Sequence, residues 1–180
     1  MTVSRSLFTA GEDLNFNVAF TDSDGDAAST TLPITIVATD ATGYHFTGTA
    51  DADAMQGSNV VDFMTGGLGK DVMTGDTGND TFVFQSAADS SSDLALSDVI
   101  TDFQVGDKID LSAIDANTGV GGDQAFAFGG NNPNAVANSV TWSVSGGNTI
   151  VHIDNTGDTT ADMQIILNGV LSLDASKFTL

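Results

Sequence analysis

Aspartate recurs every nine residues from Asp53, and the residues around it give that spacing a chemical meaning. In register the chain reads GTADADAMQ (48–56), GSNVVDFMT (57–65), GGLGKDVMT (66–74) and GDTGNDTFV (75–83). Each unit carries glycine first, aspartate sixth (Asp53, Asp62, Asp71, Asp80) and a large apolar residue eighth (Met55, Met64, Met73, Phe82). An internal period of this kind decides architecture before local propensity does. The first six residues form a turn, in which glycines at the first and fourth positions accept positive φ and leave carbonyls pointing inward. The last three form a short strand whose middle residue enters a narrow core, and two units complete one coil. Stacked coils then set Asp53 beside Asp71 on one edge and Asp62 beside Asp80 on the other. Like charges that close oppose folding unless a cation lies between them. Ca²⁺, a hard ion that takes about 6–8 oxygens, suits two carboxylates plus turn carbonyls. The aspartate spacing runs on through Asp89, Asp98 and Asp107, where the glycine and apolar positions are lost.

Composition points the same way. The chain has 180 residues and a formal net charge of −20, from 24 Asp+Glu against 4 Lys+Arg. Only Glu12 is a glutamate, so 23 of the 24 acids are aspartates. A surface acidic merely for solubility draws on both carboxylates; the shorter one is favoured in turns and as an oxygen donor to hard cations. So negative a chain repels phosphate backbones and anionic headgroups, and Arg5, Lys70, Lys108 and Lys177 form no patch, which excludes nucleic-acid and membrane-surface binding. With no cysteine there is no disulfide framework, thiolate nucleophile or thiolate zinc site. The start, MTVSRSLFTAGEDLNF, has no apolar signal core, and no window is long enough to span a bilayer. If the protein leaves the cell, it is expected to do so without an N-terminal signal peptide, and membrane insertion is not expected.

The elements that position the turns read as strands throughout, since apolar runs are short and alternate rather than recurring at three and four. The expected fold is all-β: a parallel β-roll of nonapeptide repeats flanked by antiparallel β-strands. Leu14, Phe16, Val18 and Phe20 alternate, a turn with Asp22, Asp24 and Asp26 follows, and a second strand runs from Leu32 to Val37. Residues 1–43, in which DSDGDAASTTLPITIVA resembles the last strands of the immunoglobulin-like repeats of bacterial adhesins, are expected to be the end of such a repeat or an N-terminal cap, residues 44–92 the roll, and residues 93–180 a β-rich segment. Strands are expected at Val99–Phe103, Ile109–Leu111, Ala125–Phe128, Val140–Val144, Thr149–Ile153 and Met163–Leu167. Thr118–Asn134, rich in Gly and Asn, reads as a long loop, and Ser145-Gly146-Gly147-Asn148 as a hairpin turn.

These residues resemble the repeats-in-toxin family, whose unit is GGxGxDxUx. GGLGKDVMT and GDTGNDTFV fit it well, whereas Asp51 and Val60 stand where the fourth glycine belongs in the first two units. The likeness extends through NDTFVFQSAADS, SDVITDFQVGDKIDLSAID and ADMQIILNGVLSLDASKFTL, which look like the C-terminal region shared by serralysin-type proteases and large repeats-in-toxin adhesins. It covers residues 45–180. The resemblance implies Ca²⁺ held by Asp71 and Asp80 with the turn residues Gly66, Gly67, Leu68, Gly69, Gly75, Thr77 and Gly78. Asp53, Asp62 and Asp89 rank behind them. It also implies calcium ligation by Asp98 and Asp102 of SDVITDF, and Asp154, Asp158 and Asp162 resemble a DxDGD-type loop in which Thr156 replaces the middle acid.

Other chemistries fit poorly. GGLGK lacks the phosphate-loop glycine, having Met64 there, and the following hydroxyl, having Asp71. His45 and His152 belong to no HExxH and there is no GxSxG, so both histidines read as structural, as do Tyr44 and Trp142. The expected function is non-enzymatic: the C-terminal region of an exported adhesin, secreted or at the cell surface, that folds on extracellular Ca²⁺. Its roughly last 50 residues would carry an uncleaved type I secretion signal. The expected partner is a type I exporter, comprising an ABC transporter, a membrane fusion protein and an outer-membrane channel, and the module is expected to be a monomer. The alternatives are a calcium-dependent ligand- or surface-binding module and the C-terminal domain of a serralysin-like protease.

Overall fold

The computed structural model describes residues 43–180 throughout and, before them, only the backbone of β1 (Asp13–Thr21), β2 (Ala27–Thr35) and β3 (Val37–Thr39). Asp22, Asp24 and Asp26 lie outside the described residues. β1 and β2 pair antiparallel, from Asp13 opposite Thr35 to Thr21 opposite Ala27.

The repeats supply β4 (Gly43–Thr47), β5 (Ala54–Gln56), β6 (Asp62–Thr65), β7 (Val72–Thr74) and β8 (Thr81–Val83). After them come β9 (Asp98–Ile100), β10 (Lys108–Asp110), β11 (Ala127–Asn131), β12 (Ser139–Ser145), β13 (Asn148–Asp154) and β14 (Met163–Leu167), then a 3₁₀ turn at Ala175–Lys177 and β15 (Phe178–Thr179). The strands from β4 to β10 step alternately between two sheets, ordered β15-β10-β8-β6-β4-β3 and β11-β12-β13-β14-β9-β7-β5. This is a parallel β-roll, joined to an antiparallel β12-β13-β14 unit through the parallel pair β14·β9. Each sheet combines strands from before and after the loop that joins β8 to β9.

Burial follows the period. Met64, Met73 and Phe82, eighth in their units, are at most 1% exposed. Ile100 and Ile109 continue the row, and Phe178 of β15 closes it against Ile109 of β10. Each such side chain contributes about 1.5–3 kcal/mol on burial. The antiparallel half adds Val140, Trp142, Val151, Ile153, Met163, Ile165 and Leu167 to the same core. Its hairpin turns at Gly146 (φ 61°) and Gly147 (φ 86°), the double left-handed geometry that matches strand twist.

Two local expectations change. The strand expected at Ala125–Phe128 starts at Ala127 and runs on to Asn131, into the expected loop Thr118–Asn134, because Phe128 and Gly130–Asn131 pair with β12 across a bulge that composition does not announce. The strand expected at Val99–Phe103 ends at Ile100, where the chain turns so that Asp102 can receive amides from a neighbouring coil.

Candidate metal centre

The sixth-position aspartates form a ladder on each edge of the roll. On one edge the Asp53 amide donates to Asp71 Oδ1 at 2.8 Å, and the Asp71 amide to Asp98 Oδ1 at 2.8 Å. On the other, the Asp62 amide donates to Asp80 Oδ1 and the Asp80 amide to Asp107 Oδ1, both at 3.0 Å. The first pairs are 18 residues apart and the later ones 27, because nine extra residues loop out between β8 and β9. Asp89 falls in that insertion and leaves the ladder: its Oδ2 accepts the amides of Gln85 and Ser86. Ser90 takes the place of the next carboxylate, its hydroxyl accepting the Asp98 amide at 2.8 Å.

The second oxygen of each carboxylate separates the turns into two kinds. Asp53 Oδ2 accepts the amide (2.6 Å) and the hydroxyl (2.9 Å) of Thr49. Asp62 receives the Ser58 amide at 2.5 Å and the Ser58 hydroxyl at 3.0 Å. By contrast, Asp71 Oδ2, Asp80 Oδ2 and Asp98 Oδ2 are buried with no hydrogen-bond partner. A buried acceptor left in that state costs on the order of 1–3 kcal/mol, more when charged. Those three oxygens call for a cation.

Their surroundings fit one. Cβ atoms added at Gly66 and Gly75 would overlap Asp71 Oδ2 and Asp80 Oδ2, and at Gly67 and Gly78 the carbonyls of Thr49 and Val60. Only glycine lets these oxygens close around the turn. Gly67, Gly69 and Gly78 have φ of 97°, 115° and 159°, which brings their turns into left-handed geometry. Leu68 and Thr77 sit exposed at the turn tips. Burial, followed by repulsion from neighbouring aspartates, pushes Asp80 and Asp98 up to about 7; burial also raises Asp71 and Asp62. Among the described residues no three His, Cys, Asp or Glu side chains gather into one cluster. A cation here would draw on stacked carboxylates and on main-chain carbonyls, as a hard ion with many oxygen ligands does.

The remaining expected ligands have other work in this structure. Asp102 accepts the amides of Gly75 and Asp76 with its two oxygens, at 2.9 and 2.8 Å, and so ties the second-edge turn to the next coil. Asp154, fully buried, takes Thr156 and Gly157 amides on Oδ1 and Thr159 on Oδ2. Asp162 accepts from Asn155 and Thr156, and Asp158 from Thr160. Amides of the DxDGD-like loop itself thus donate to all three of its carboxylates. Sequence reasoning missed Thr49, Ser58 and Ser90; the legible signal was a hydroxyl at the second position of the first two units.

The family profile described as "Peptidase M10 serralysin C terminal" matches residues 39–178. The chain belongs to that family. Among solved structures, the AlgE6R2 subunit of the Azotobacter vinelandii mannuronan C5-epimerase is 26% identical, covering 74% of this chain and 91% of that one, with a TM-score of 0.51. The AlgE6R3 subunit of the same organism's enzyme is 23% identical over 75% of this chain and 76% of its own, with a TM-score of 0.48. Extracellular lipase LipA of Serratia marcescens is 14% identical, covering 96% of this chain but 32% of the lipase, with a TM-score of 0.43. No curated protein matches.

The serralysin C-terminal match takes in every carboxylate described above and stops two residues before the last one, Leu180. Membership places the chain among repeats-in-toxin β-rolls of exported, calcium-binding proteins. Outside the roll, His152 bridges Ser143 (3.0 Å to Nε2) and Gln164 (2.9 Å to Nδ1) across β12, β13 and β14. Burial lowers its pKa, and the neutral ring serves as a cross-strand tie.

Proposed function

We propose that this chain is a calcium-folded export module, the C-terminal region of a larger protein delivered by a type I exporter. What carries the reading is the trio of buried, unpartnered carboxylate oxygens on Asp71, Asp80 and Asp98. Bound Ca²⁺ supplies the positive charge that lets these oxygens stay ionised inside the fold. Without it, twenty net negative charges and the stacked aspartates oppose compaction, and a thin apolar row offsets little of that. Three independent sites at about ten times their dissociation constants add about 4 kcal/mol, a large share of a typical stability of about 5–15 kcal/mol.

The topology supports coupling this to export. Within Lys177–Leu180, Phe178 and Thr179 form β15, paired with β10, and Phe178 is 7% exposed in the core. A secretion signal in the last 50 or so residues is therefore hidden once the roll folds, so it must be read from the unfolded chain, before calcium is met. Sites at Asp71 with Gly66–Gly69, and at Asp80 with Gly75–Gly78, are part of this proposal, as is a division near residues 43 and 92. We place the passenger among surface adhesins on the strand-rich start of the chain. A protease passenger is the second reading, favoured by the serralysin family match.

Two measurements test it. At neutral pH, where the buried aspartates ionise, chelated protein should lose much of the roll's β circular dichroism and recover it in millimolar Ca²⁺ but not in equivalent Mg²⁺, whose octahedral, water-retaining coordination suits such a cage poorly. Deleting residues 130–180 from the parent should trap it inside a cell that carries the native exporter. A spectrum indifferent to chelation, or export that survives the deletion, overturns the corresponding half of the reading.

A further inference from the structure

The two kinds of turn differ in backbone as well as in hydrogen bonding. At the second position Gly67 and Asp76 are left-handed, with φ of 97° and 69°, and at the fourth Gly69 and Gly78 have φ of 115° and 159°. Thr49, Ser58, Asp51 and Val60, at the same places in the first two units, have no positive φ. A β-branched or bulky side chain strongly avoids that region. With ordinary φ, the second-position amide points at the aspartate four residues on. The hydroxyl of that residue completes a circuit: Thr49 Oγ1 accepts the Asp51 amide at 3.2 Å while donating to Asp53, and Ser58 Oγ accepts the Val60 amide at 3.3 Å while donating to Asp62. The insertion repeats the device, since Ser86 Oγ accepts the Ala88 amide at 3.1 Å and the Ser86 amide donates to Asp89 Oδ2 at 3.1 Å. Hydroxyl residues are known to close turns in this local way.

We propose that the array is mixed: the carboxylates of turns 48–53 and 57–62 are closed by Thr49 and Ser58 and ligate no cation, so that these turns offer at most carbonyls to a neighbour's ion, while only the turns that leave a carboxylate oxygen buried and unpartnered hold one. A hydroxyl and an amide do for the first two aspartates what calcium does for Asp71, Asp80 and Asp98. The two closed turns then form a built-in floor at the N-terminal end of the roll, one on each edge. On them the ion-dependent coils stack through the Asp53-to-Asp71 and Asp62-to-Asp80 hydrogen bonds. Sequence units of the form G-[ST]-x-x-x-D thus mark closed turns, and units with glycine or aspartate second and glycine fourth, GGLGKD and GDTGND, mark ion turns.

This rests on the calcium reading above, and bound calcium per chain, counted by equilibrium dialysis of the whole chain, separates the two. The double variant Asp53→Asn/Asp62→Asn should bind as many ions as the unaltered chain, whereas Asp71→Asn/Asp80→Asn should lose ions or weaken them at least about tenfold. Converting the closed turns with Thr49→Gly/Asp51→Gly and Ser58→Gly/Val60→Gly should add at least one bound ion. This arm reports even if the Asn variants fold poorly. Equal losses in the two Asn pairs, or no gain on conversion, overturn the mixed array while leaving calcium binding intact. An unaltered chain that binds no calcium overturns both.

Discussion

The first two turns of the roll and the two that follow have the same length, the same glycine start and the same aspartate, yet they solve opposite electrostatic problems. Asp53 and Asp62 each collect an amide and a hydroxyl from their own turn. Asp71 and Asp80 give one oxygen to the coil before them and keep the other buried and empty-handed. The difference is sharpest at the second position: threonine and serine there hold the backbone in ordinary φ and bring a donor, while glycine and Asp76 let it turn left-handed and bring none; the fourth position follows it, with Asp51 and Val60 against Gly69 and Gly78. A repeat period therefore fixes where a carboxylate goes, and its neighbours decide what that carboxylate needs.

Amide substitution should show the largest contrast, because asparagine keeps an acceptor for the ladder amide but removes the charge. For Asp80→Asn without calcium, losing a buried, uncompensated carboxylate should raise stability by on the order of 1–3 kcal/mol. With calcium the same change should lower stability, since a ligand is gone. Asp53→Asn should instead lower stability modestly in both conditions, because it weakens charge-assisted bonds from Thr49. Chemical denaturation of each variant, with and without calcium, measures this. If the Asp80 effect has the same sign in both conditions, the two turn classes collapse into one.

Acidity offers a second, smaller discrimination. Asp80 and Asp98 are raised from 3.8 to about 7, chiefly by burial. Between about pH 4 and 7 the calcium-free folded state then holds protons that the unfolded state has released. Its stability is highest at the acid end of that window and is lost as pH rises through about 7. In calcium the slope should reverse, since protons then compete with the ion for the same oxygens. Melting temperatures from pH 4.5 to 7.5 in calcium-free buffer should fall with pH for the unaltered chain, and Asp80→Asn should flatten that fall. A calcium-free melting temperature that climbs over this range would mean that these oxygens are solvated or paired.

Much of this was legible in the sequence, for reasons that differ by region. The nine-residue period placed the core row Met64, Met73 and Phe82 and the all-β roll, because one residue in each unit has nowhere to go but inward. Periodicity could not show that Asp89 leaves the ladder while Asp98 and Asp107 rejoin it. Its spacing is perfect, and only the pairing of β7 with β9 across 27 residues reveals the loop. Asp154, Asp158 and Asp162 looked like ligands because aspartate oxygen serves cations and turn amides equally well; the sequence did not show that Thr156, Gly157 and Thr159 direct their amides at Asp154. β11 was legible in part: a strand is expected at Ala125–Phe128, but its glycines say loop, and pairing with β12 carries it on to Asn131.

The finest test of the two turn classes lies at Asp76, the non-glycine that keeps a left-handed second position (φ 69°). Its amide donates to Asp102 Oδ2 and its carbonyl accepts from Gln104, so the main chain there is held from two sides. Its side chain makes one exposed contact, to Gln56 Nε2 at 2.8 Å, worth well under about 1 kcal/mol. Asp76 also adds repulsion to buried Asp62. Glycine at this place removes that repulsion and the left-handed strain, at a cost in unfolded-chain entropy of about 0.4–1 kcal/mol, so Asp76→Gly should leave stability within about 1 kcal/mol of the parent. Alanine loses the side-chain contact and keeps the strain without an aspartate's local hydrogen bonding, so Asp76→Ala should be less stable than Asp76→Gly by about 1 kcal/mol. At Thr49, where φ is ordinary, the order should invert and alanine should be the better tolerated of the two. Denaturant midpoints of the four variants read both differences. If glycine and alanine rank the same way at both positions, backbone handedness does not separate the turns.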